Sequence, residues 1–196
     1  MLKPQTLRLG AATLVALAAG AAHAHPGHGA SGFADALAHP FLGLDHLLAM
    51  VAVGAWSVAA LPSGRRLAGP AAFLLMLLVG MAWAWAGFVL PGVEAGVALS
   101  VVLFGAMLLA GRRLAAAPGL LFIAVAALLH GSAHGNELIP GPVMLVTATG
   151  VLLGSSVLHL LGLMIGARLQ TLPAWTSKLA ALALGSSGLV MLAARL

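Results

Sequence analysis

The 196-residue sequence contains no cysteine and no tyrosine, and only 7% of its residues are charged. Without cysteine, disulfides and thiolate metal sites are excluded, so any bound metal must be held by nitrogen, oxygen or methionine sulfur. Hydrophobic residues make up 62% of the chain, and the mean hydropathy is +1.11. Soluble domains do not have this composition, which indicates a membrane protein.

The basic residues do not form a nucleic-acid-binding surface. Nine Lys and Arg residues give a formal net charge of +5, but they are scattered in ones and twos. No basic stripe with interleaved aromatic residues is present, so a nucleic acid is excluded as a partner. The eight methionines are scattered as well, which is typical of core packing rather than of a copper(I) pathway.

The N-terminus has the pattern of a targeting segment. Lys3 and Arg8 precede an apolar run, which ends in the small-x-small sequence AHA at residues 22–24. This pattern predicts a cleaved signal peptide over residues 1–24 and a mature chain that begins at His25, outside the cytoplasm. The alternative is an uncleaved transmembrane helix, but the run is shorter than the roughly 20 residues that span a bilayer.

Six further apolar segments are long enough to cross a membrane. They cover about residues 40–61, 70–90, 94–111, 118–135, 142–167 and 174–194. The breaks between them are short and rich in Pro, Gly and Arg, too short to fold as separate domains. We therefore expect an all-α membrane protein, a compact bundle of six transmembrane helices over residues 40–196. A histidine-containing outer segment over residues 25–39 precedes it.

The loop charges predict the orientation of this bundle. Basic residues follow the first, third and fifth predicted helices, and one lies just inside the sixth: Arg65, Arg66, Arg112, Arg113, Arg168 and Lys178. The other side has only Arg195. The positive-inside rule assigns the basic loops to the cytoplasm, which agrees with the signal peptide. A bacterial inner-membrane location with a periplasmic mature N-terminus follows.

The scarce acids and most histidines fall at the predicted outer ends of the helices. His39 precedes Pro40, so His39 is predicted as a cap and Pro40 as the first helical residue. His46 then lies two turns from His39 on nearly the same face, with Asp45 about 100° around the helix. At the end of the fourth predicted helix, a second group of polar residues follows i, i+4, i+7 spacing along one stripe: His130, His134 and Glu137.

Ionisable groups inside a membrane are costly and indicate a functional site. Neutral imidazole and carboxylate suit a borderline divalent ion such as Ni(II), Co(II), Zn(II) or Cu(II). Separate interhelical hydrogen bonds are the alternative, but two groups at matching depth favour one shared metal site. The candidate ligands are His39, Asp45, His46, His130, His134 and Glu137.

The segment HPGHG, which starts at His25, offers a second and weaker place for metal. After cleavage, His25 has both an imidazole and a free α-amine, with His28 close by. Pro26 has no backbone N–H, so a tight square-planar chelate cannot form there. Weak, exchangeable capture is predicted, and a tail without any binding role is the alternative.

Several stretches of the sequence resemble the HupE/UreJ family. They are HPGHG, GFADALAHPFLGLDHLLAMVAVGAW, LPGVEAGVALSV, HGSAHGNE and LHLLGLMIG. The resemblance extends over essentially the whole predicted mature chain. The resemblance implies a membrane protein found with hydrogenase or urease genes and regarded as a nickel permease, with some relatives handling cobalt. It supports the same six candidate ligands, and it adds Glu94 and His159, which lie in flanking motifs, with less weight.

The leading hypothesis is a secondary transporter that imports a divalent metal, Ni(II) first and Co(II) or another divalent metal second, linked to hydrogenase or urease maturation. No nucleotide-binding motif or prosthetic group is expected. The alternatives are a metal sensor or structural membrane partner, and an intramembrane hydrolase whose metal activates a water. The serines available to a hydrolase are Ser132, Ser100 and Ser155. The outer position of the acids favours metal capture, so we expect a protein that is not an enzyme.

Overall fold

The computed structural model describes residues 32–138 and 144–196, and every regular element within those ranges is helical. The predicted signal peptide, His25 and His28 lie outside the described residues. The α-helices are α1 (Phe33–Leu42), α2 (Leu44–Ala60), α3 (Ala68–Trp85), α4 (Val93–Ala110), α5 (Ala116–Glu137), α6 (Met144–Leu169) and α7 (Ala174–Ala193). Two short 3-10 helices, Ser63–Arg65 and Gly111–Arg113, lie at the ends of α2 and α4.

Among the described residues, five helices, α3 to α7, are long and apolar enough to cross a membrane. A sixth span is present if α1 and α2, which are bent by 80° relative to each other, are counted together. The chain is therefore an all-helical, multi-pass membrane protein. The bounds of α3 to α7 agree with five of the six predicted segments to within five residues.

The prediction for the first helix was wrong in its detail. The segment does not begin at Pro40 with His39 as its cap: helix α1 begins at Phe33 and contains both residues. It ends at Leu42, and Gly43, with φ −86° and ψ 116°, separates it from α2. Because of the 80° bend at this break, His39 and His46 lie on two helices rather than on one face of a single helix.

Glycines allow pairs of helices to pack with their backbones in contact, as is common in membranes. An added Cβ on Gly80 of α3 would lie 2.8 Å from Ser132 N and 3.0 Å from Gly131 C on α5. On α2, a Cβ at Gly54 would lie 2.8 Å from Gly162 C of α6, and helices α4 and α7 approach in the same way. Helix α1 lies against α6, where a Cβ on Gly150 would lie 2.7 Å from Ala36 Cβ.

The helices alternate in direction, so the bundle has two chemically different ends. One end holds Arg195 and the two acids that it contacts, Asp45 and Glu94, and we name it the histidine end because the histidine motifs also lie there. At this end the indole of Trp85 donates a hydrogen bond to the Leu138 carbonyl (3.0 Å), which ties α3 to α5. The opposite end, here the arginine end, carries the basic residues Arg65, Arg66, Arg112, Arg113, Arg168 and Lys178.

Candidate metal centre

Four histidine rings from the two predicted groups form one cluster at the histidine end. His46 of α2 is central, with its ring centroid 4.3 Å from that of His134 and 4.7 Å from that of His130. The ring of His39 on α1 lies 4.9 Å from His134 and 6.5 Å from His46. The break at Gly43 and the direction of α5 thus bring residues almost a hundred positions apart into contact. We name these four residues the histidine cluster.

Asp45 fixes the orientation of the His46 ring. Its Oδ1 accepts hydrogen bonds from the His46 backbone N–H (2.7 Å) and lies 2.6 Å from His46 Nδ1. Because an ionised carboxylate only accepts, Nδ1 carries a hydrogen, and in the neutral ring Nε2 keeps its lone pair. Nε2 is buried without a hydrogen-bond partner among the described residues. A carboxylate that holds one imidazole nitrogen while the other is free to ligate is the usual support for a metal-binding histidine.

The tautomer of His130 follows from its contact with Ser100 of α4. The Ser100 hydroxyl donates its one hydrogen to the Val97 carbonyl (2.7 Å), and Oγ lies 2.9 Å from His130 Nε2. With the hydroxyl hydrogen donated to Val97, Ser100 Oγ is the acceptor for His130 Nε2–H, and the neutral ring then has its lone pair on Nδ1. That atom is buried and lacks a hydrogen-bond partner in the described part of the chain.

His134 has the least satisfied ring of the cluster. It is fully buried, and within residues 32–138 and 144–196 neither ring nitrogen has a hydrogen-bond partner. One ligand atom each from His134, His39 and Glu137 lies within 4.8 Å of the other two. Glu137 Oε2 also lies 2.8 Å from His39 Nε2, so the end of α5 is attached to α1. This arrangement could hold one divalent ion after a small contraction, since ligands about 2.1 Å from an ion lie at most about 4.2 Å apart.

Arg195, just beyond α7, contacts the two acids beside the cluster. Its guanidinium lies 2.5 Å from Asp45 Oδ2 and donates to the Glu94 backbone carbonyl (2.9 Å). Glu94 Oε2 is 3.5 Å from Arg195 Nη2, the nitrogen that contacts Asp45. Both carboxylate oxygens of Asp45 are thus engaged, one by His46 and one by Arg195. Glu94 is thus linked to Asp45 through Arg195, by its backbone carbonyl and by its carboxylate.

His159 lies apart from the cluster. Its Nδ1–H donates to the Met50 carbonyl on α2 (2.9 Å), so its buried Nε2 keeps a lone pair. The ring of Phe73 on α3 packs against both His159 (4.9 Å) and His130 (5.6 Å). Phe73 therefore contacts both His159 and the cluster residue His130.

Sequence reasoning missed three contributors to the site: the Gly43 break, Phe73 and the pairing of Arg195 with Asp45. The last one had a signal in the sequence. Arg195 is the one basic residue on the side where all four acids were predicted, so ion pairing there could have been foreseen. Phe73 has no such signal, because one aromatic residue in an apolar helix resembles any other core residue.

Comparisons with known proteins agree with the resemblance of the sequence motifs. The family model described as "HupE / UreJ protein" matches residues 13–191. The chain is 39% identical to "Protein HupE" of Rhizobium leguminosarum bv. viciae, over 77% of this chain and 79% of the relative. No solved structure matches the chain at a significant level. The sequence, the fold and the family match together show that the chain belongs to the HupE/UreJ family.

Proposed function

We propose that the protein is a secondary transporter that imports a divalent transition metal, with Ni(II) as the first candidate, for hydrogenase or urease maturation. Family membership supports an accessory role in nickel transport for these enzymes at the level of the family. Co(II) or another divalent metal remains the second candidate, because imidazole and carboxylate do not select between them. The metal is cargo, and no prosthetic group is proposed.

One observation carries this proposal: three buried imidazoles of the cluster each have a ring nitrogen without a hydrogen-bond partner among the described residues. These are His46 Nε2, His130 Nδ1 and both nitrogens of His134. A buried polar atom without a partner costs about 1–3 kcal/mol, so four of them at one place favour a compensating ligand. We assign ligation to the histidine cluster and Glu137, and the orientation of His46 to Asp45.

The charge distribution and the membrane potential support inward transport. The basic residues of the arginine end favour a cytoplasmic location for that end, with the histidine cluster and the mature N-terminus facing the periplasm. A divalent ion that enters a negative interior gains about 4.6 kcal/mol per 100 mV, twice the value for one charge. That free energy supports roughly a thousandfold accumulation without nucleotide hydrolysis.

A hydrolase is the weaker alternative, although a serine does lie beside a histidine. In an activated serine the hydroxyl donates to the imidazole. Here the hydroxyl of Ser100 donates to the Val97 carbonyl and accepts from His130, which is the opposite polarity. Ser132 faces the Gly80 carbonyl of α3, at 3.5 Å, rather than the cluster.

The proposal is tested by measuring Ni(II) uptake into proteoliposomes with an inside-negative potential, by mass spectrometry of the washed vesicles. The wild type should accumulate Ni(II), and His134→Ala should abolish uptake because it removes a ligand at the centre of the cluster. Ser132→Ala is the matched control, since Ser132 is buried on the same helix between His130 and His134. This control should transport like the wild type.

The outcomes separate the candidate functions. Wild-type vesicles that accumulate no Ni(II), Co(II) or Zn(II) above empty vesicles would contradict a carrier. Loss of function in Ser132→Ala together with normal uptake by His134→Ala would contradict the proposed ligands. Competition among the three ions in the same assay ranks them as substrates.

A further inference from the structure

Arg195 occupies an unusual position for a cation in a protein proposed to bind metal cations. It forms an ion pair with Asp45, whose side chain is only 7% exposed, and with Glu94 at the rim. Arg195 is itself 28% exposed, so its guanidinium lies between solvent and the cluster. It comes from the segment after α7, 150 residues from Asp45 in sequence. No other Lys or Arg side chain of the described residues lies at the histidine end.

The guanidinium and a bound ion would share the same carboxylate. Asp45 Oδ2 accepts from Arg195, while Asp45 Oδ1 accepts from His46 Nδ1–H. A metal on His46 Nε2 withdraws electron density from the ring. The Nδ1–H group then becomes a stronger hydrogen-bond donor to Asp45. The metal also repels the guanidinium, and this repulsion is strong where both charges are shielded from water. Two cations therefore compete for the negative charge of one buried carboxylate.

We propose that Arg195 is a gating cation of the histidine cluster: metal bound to the cluster and Arg195 bound to Asp45 oppose each other. This inference rests on the proposed function. Metal binding weakens the ion pair between Arg195 and Asp45. The segment after α7, residues 194–196, is then released from the histidine end. When the ion moves inward, Arg195 returns to Asp45 and its positive charge opposes the return of the ion. Coupling of this kind is reciprocal, so each cation lowers the affinity of the site for the other.

The direction of one affinity change tests this gate. Ni(II) binding is measured by calorimetry on purified wild type and Arg195→Gln in the same detergent. Glutamine keeps an N–H donor for Asp45 but removes the charge, so we expect Ni(II) to bind about tenfold more tightly or better. Arg195→Lys keeps the charge and should remain within about threefold of the wild type. Arg112→Gln, an exposed residue at the arginine end, is the matched control and should not change the affinity.

A second readout reports the release of the segment itself. The chain has no cysteine, so Leu196→Cys, at a position that is 94% exposed, accepts a single fluorescent label. Ni(II) should lower the anisotropy of the label in the wild-type background. In the Arg195→Gln background the anisotropy should be low from the start and should not change. Thermal unfolding of each variant identifies any that fails to fold.

Weaker Ni(II) binding by Arg195→Gln would overturn the gate, because it would show that Arg195 only positions Asp45. Unchanged Ni(II) binding would also overturn it, because it would show that Arg195 has no effect on the site. An anisotropy that does not respond to Ni(II) in the wild-type background would also overturn it. Failure of the wild type to bind Ni(II), Co(II) or Zn(II) is a different result, which contradicts the proposed function and this inference with it.

Discussion

At the scale of single residues, the buried carboxylate of Asp45 forms hydrogen bonds with His46. Its Oδ1 accepts from both the backbone and the ring of His46, which sets the ring so that Nε2 faces the cluster. Loss of such a supporting carboxylate usually lowers metal affinity by about 10–100-fold. We therefore expect Asp45→Asn to weaken Ni(II) binding by that factor, measured by calorimetry. Asp35→Asn, at an exposed acid on α1, is the control and should bind like the wild type.

Ser100 gives a finer test at the same scale. Its hydroxyl oxygen accepts from His130 Nε2–H and so keeps the lone pair on Nδ1. Ser100→Ala removes this acceptor and frees the ring to choose the other tautomer. We expect Ni(II) affinity to fall several-fold while uptake at saturating Ni(II) persists. Complete loss of uptake at every Ni(II) concentration would instead favour a chemical role for the hydroxyl.

The residue types of the site could be predicted from the sequence, but their bonding could not. Histidine and acid in an apolar chain are costly, so their presence alone marks a site. Which nitrogen of His46 or His130 is available depends on Asp45, Ser100 and the Val97 carbonyl. The contact with Ser100 crosses 30 positions between two helices, and spacing along one helix contains no information about it.

At the scale of helices, close backbone packing between α3 and α5 sets the position of two cluster histidines. Gly131 lies between His130 and His134, and a Cβ there would meet the Leu77 carbonyl and lie 3.0 Å from Gly80 Cα. Gly131→Ala must push the helices apart, and overpacking of this kind costs about 1–3 kcal/mol. We expect a lower unfolding temperature in detergent, followed by tryptophan fluorescence, and weaker Ni(II) binding.

Gly185→Ala is the matched control for that change. Gly185 is also inside a helix, α7, but an added Cβ would meet nothing within 4 Å. Alanine is the better helix former by about 0.5–1 kcal/mol, so this variant should unfold at the same temperature or higher. Equal destabilisation by both substitutions would show that helix packing at Gly131 is not special.

The bend between α1 and α2 shows why the first helix was predicted incorrectly. Residues 40–61 are apolar except for Asp45, His46 and Ser57, and a predominantly apolar run of this length predicts one continuous span. Pro40 was assigned to the first position of a helix, yet it lies inside α1, and a Cβ added to Gly154 of α6 would lie 3.3 Å from its ring. The chain bends three residues later, at Gly43. The position of the bend depends on the contact of α1 with α6, and the sequence of a single helix contains no information about that contact.

At the scale of the whole molecule, the alternation of helix direction explains why the two histidine motifs meet. Helix α2 starts and α5 ends at the histidine end, so motifs at opposite ends of their helices reach one depth. Five of the six predicted segments agree with helices of the structure, and the sixth is a span only if the bent pair α1 and α2 is counted as one. The lateral order of the helices could not be read, because it is set by glycine contacts such as Gly54 with Gly162.

A single shared site predicts strong coupling between α2 and α5. The rings of His46 and His134 lie 4.3 Å apart, so one ion can bind both, and removing either ring damages the same site. We expect His46→Ala and His134→Ala each to lower Ni(II) affinity strongly, measured by equilibrium dialysis of purified protein. The double variant should lose much less than the sum of the two losses, because the second change acts on a site already broken. Strictly additive losses would mean two independent sites, and the single metal centre would have to be abandoned.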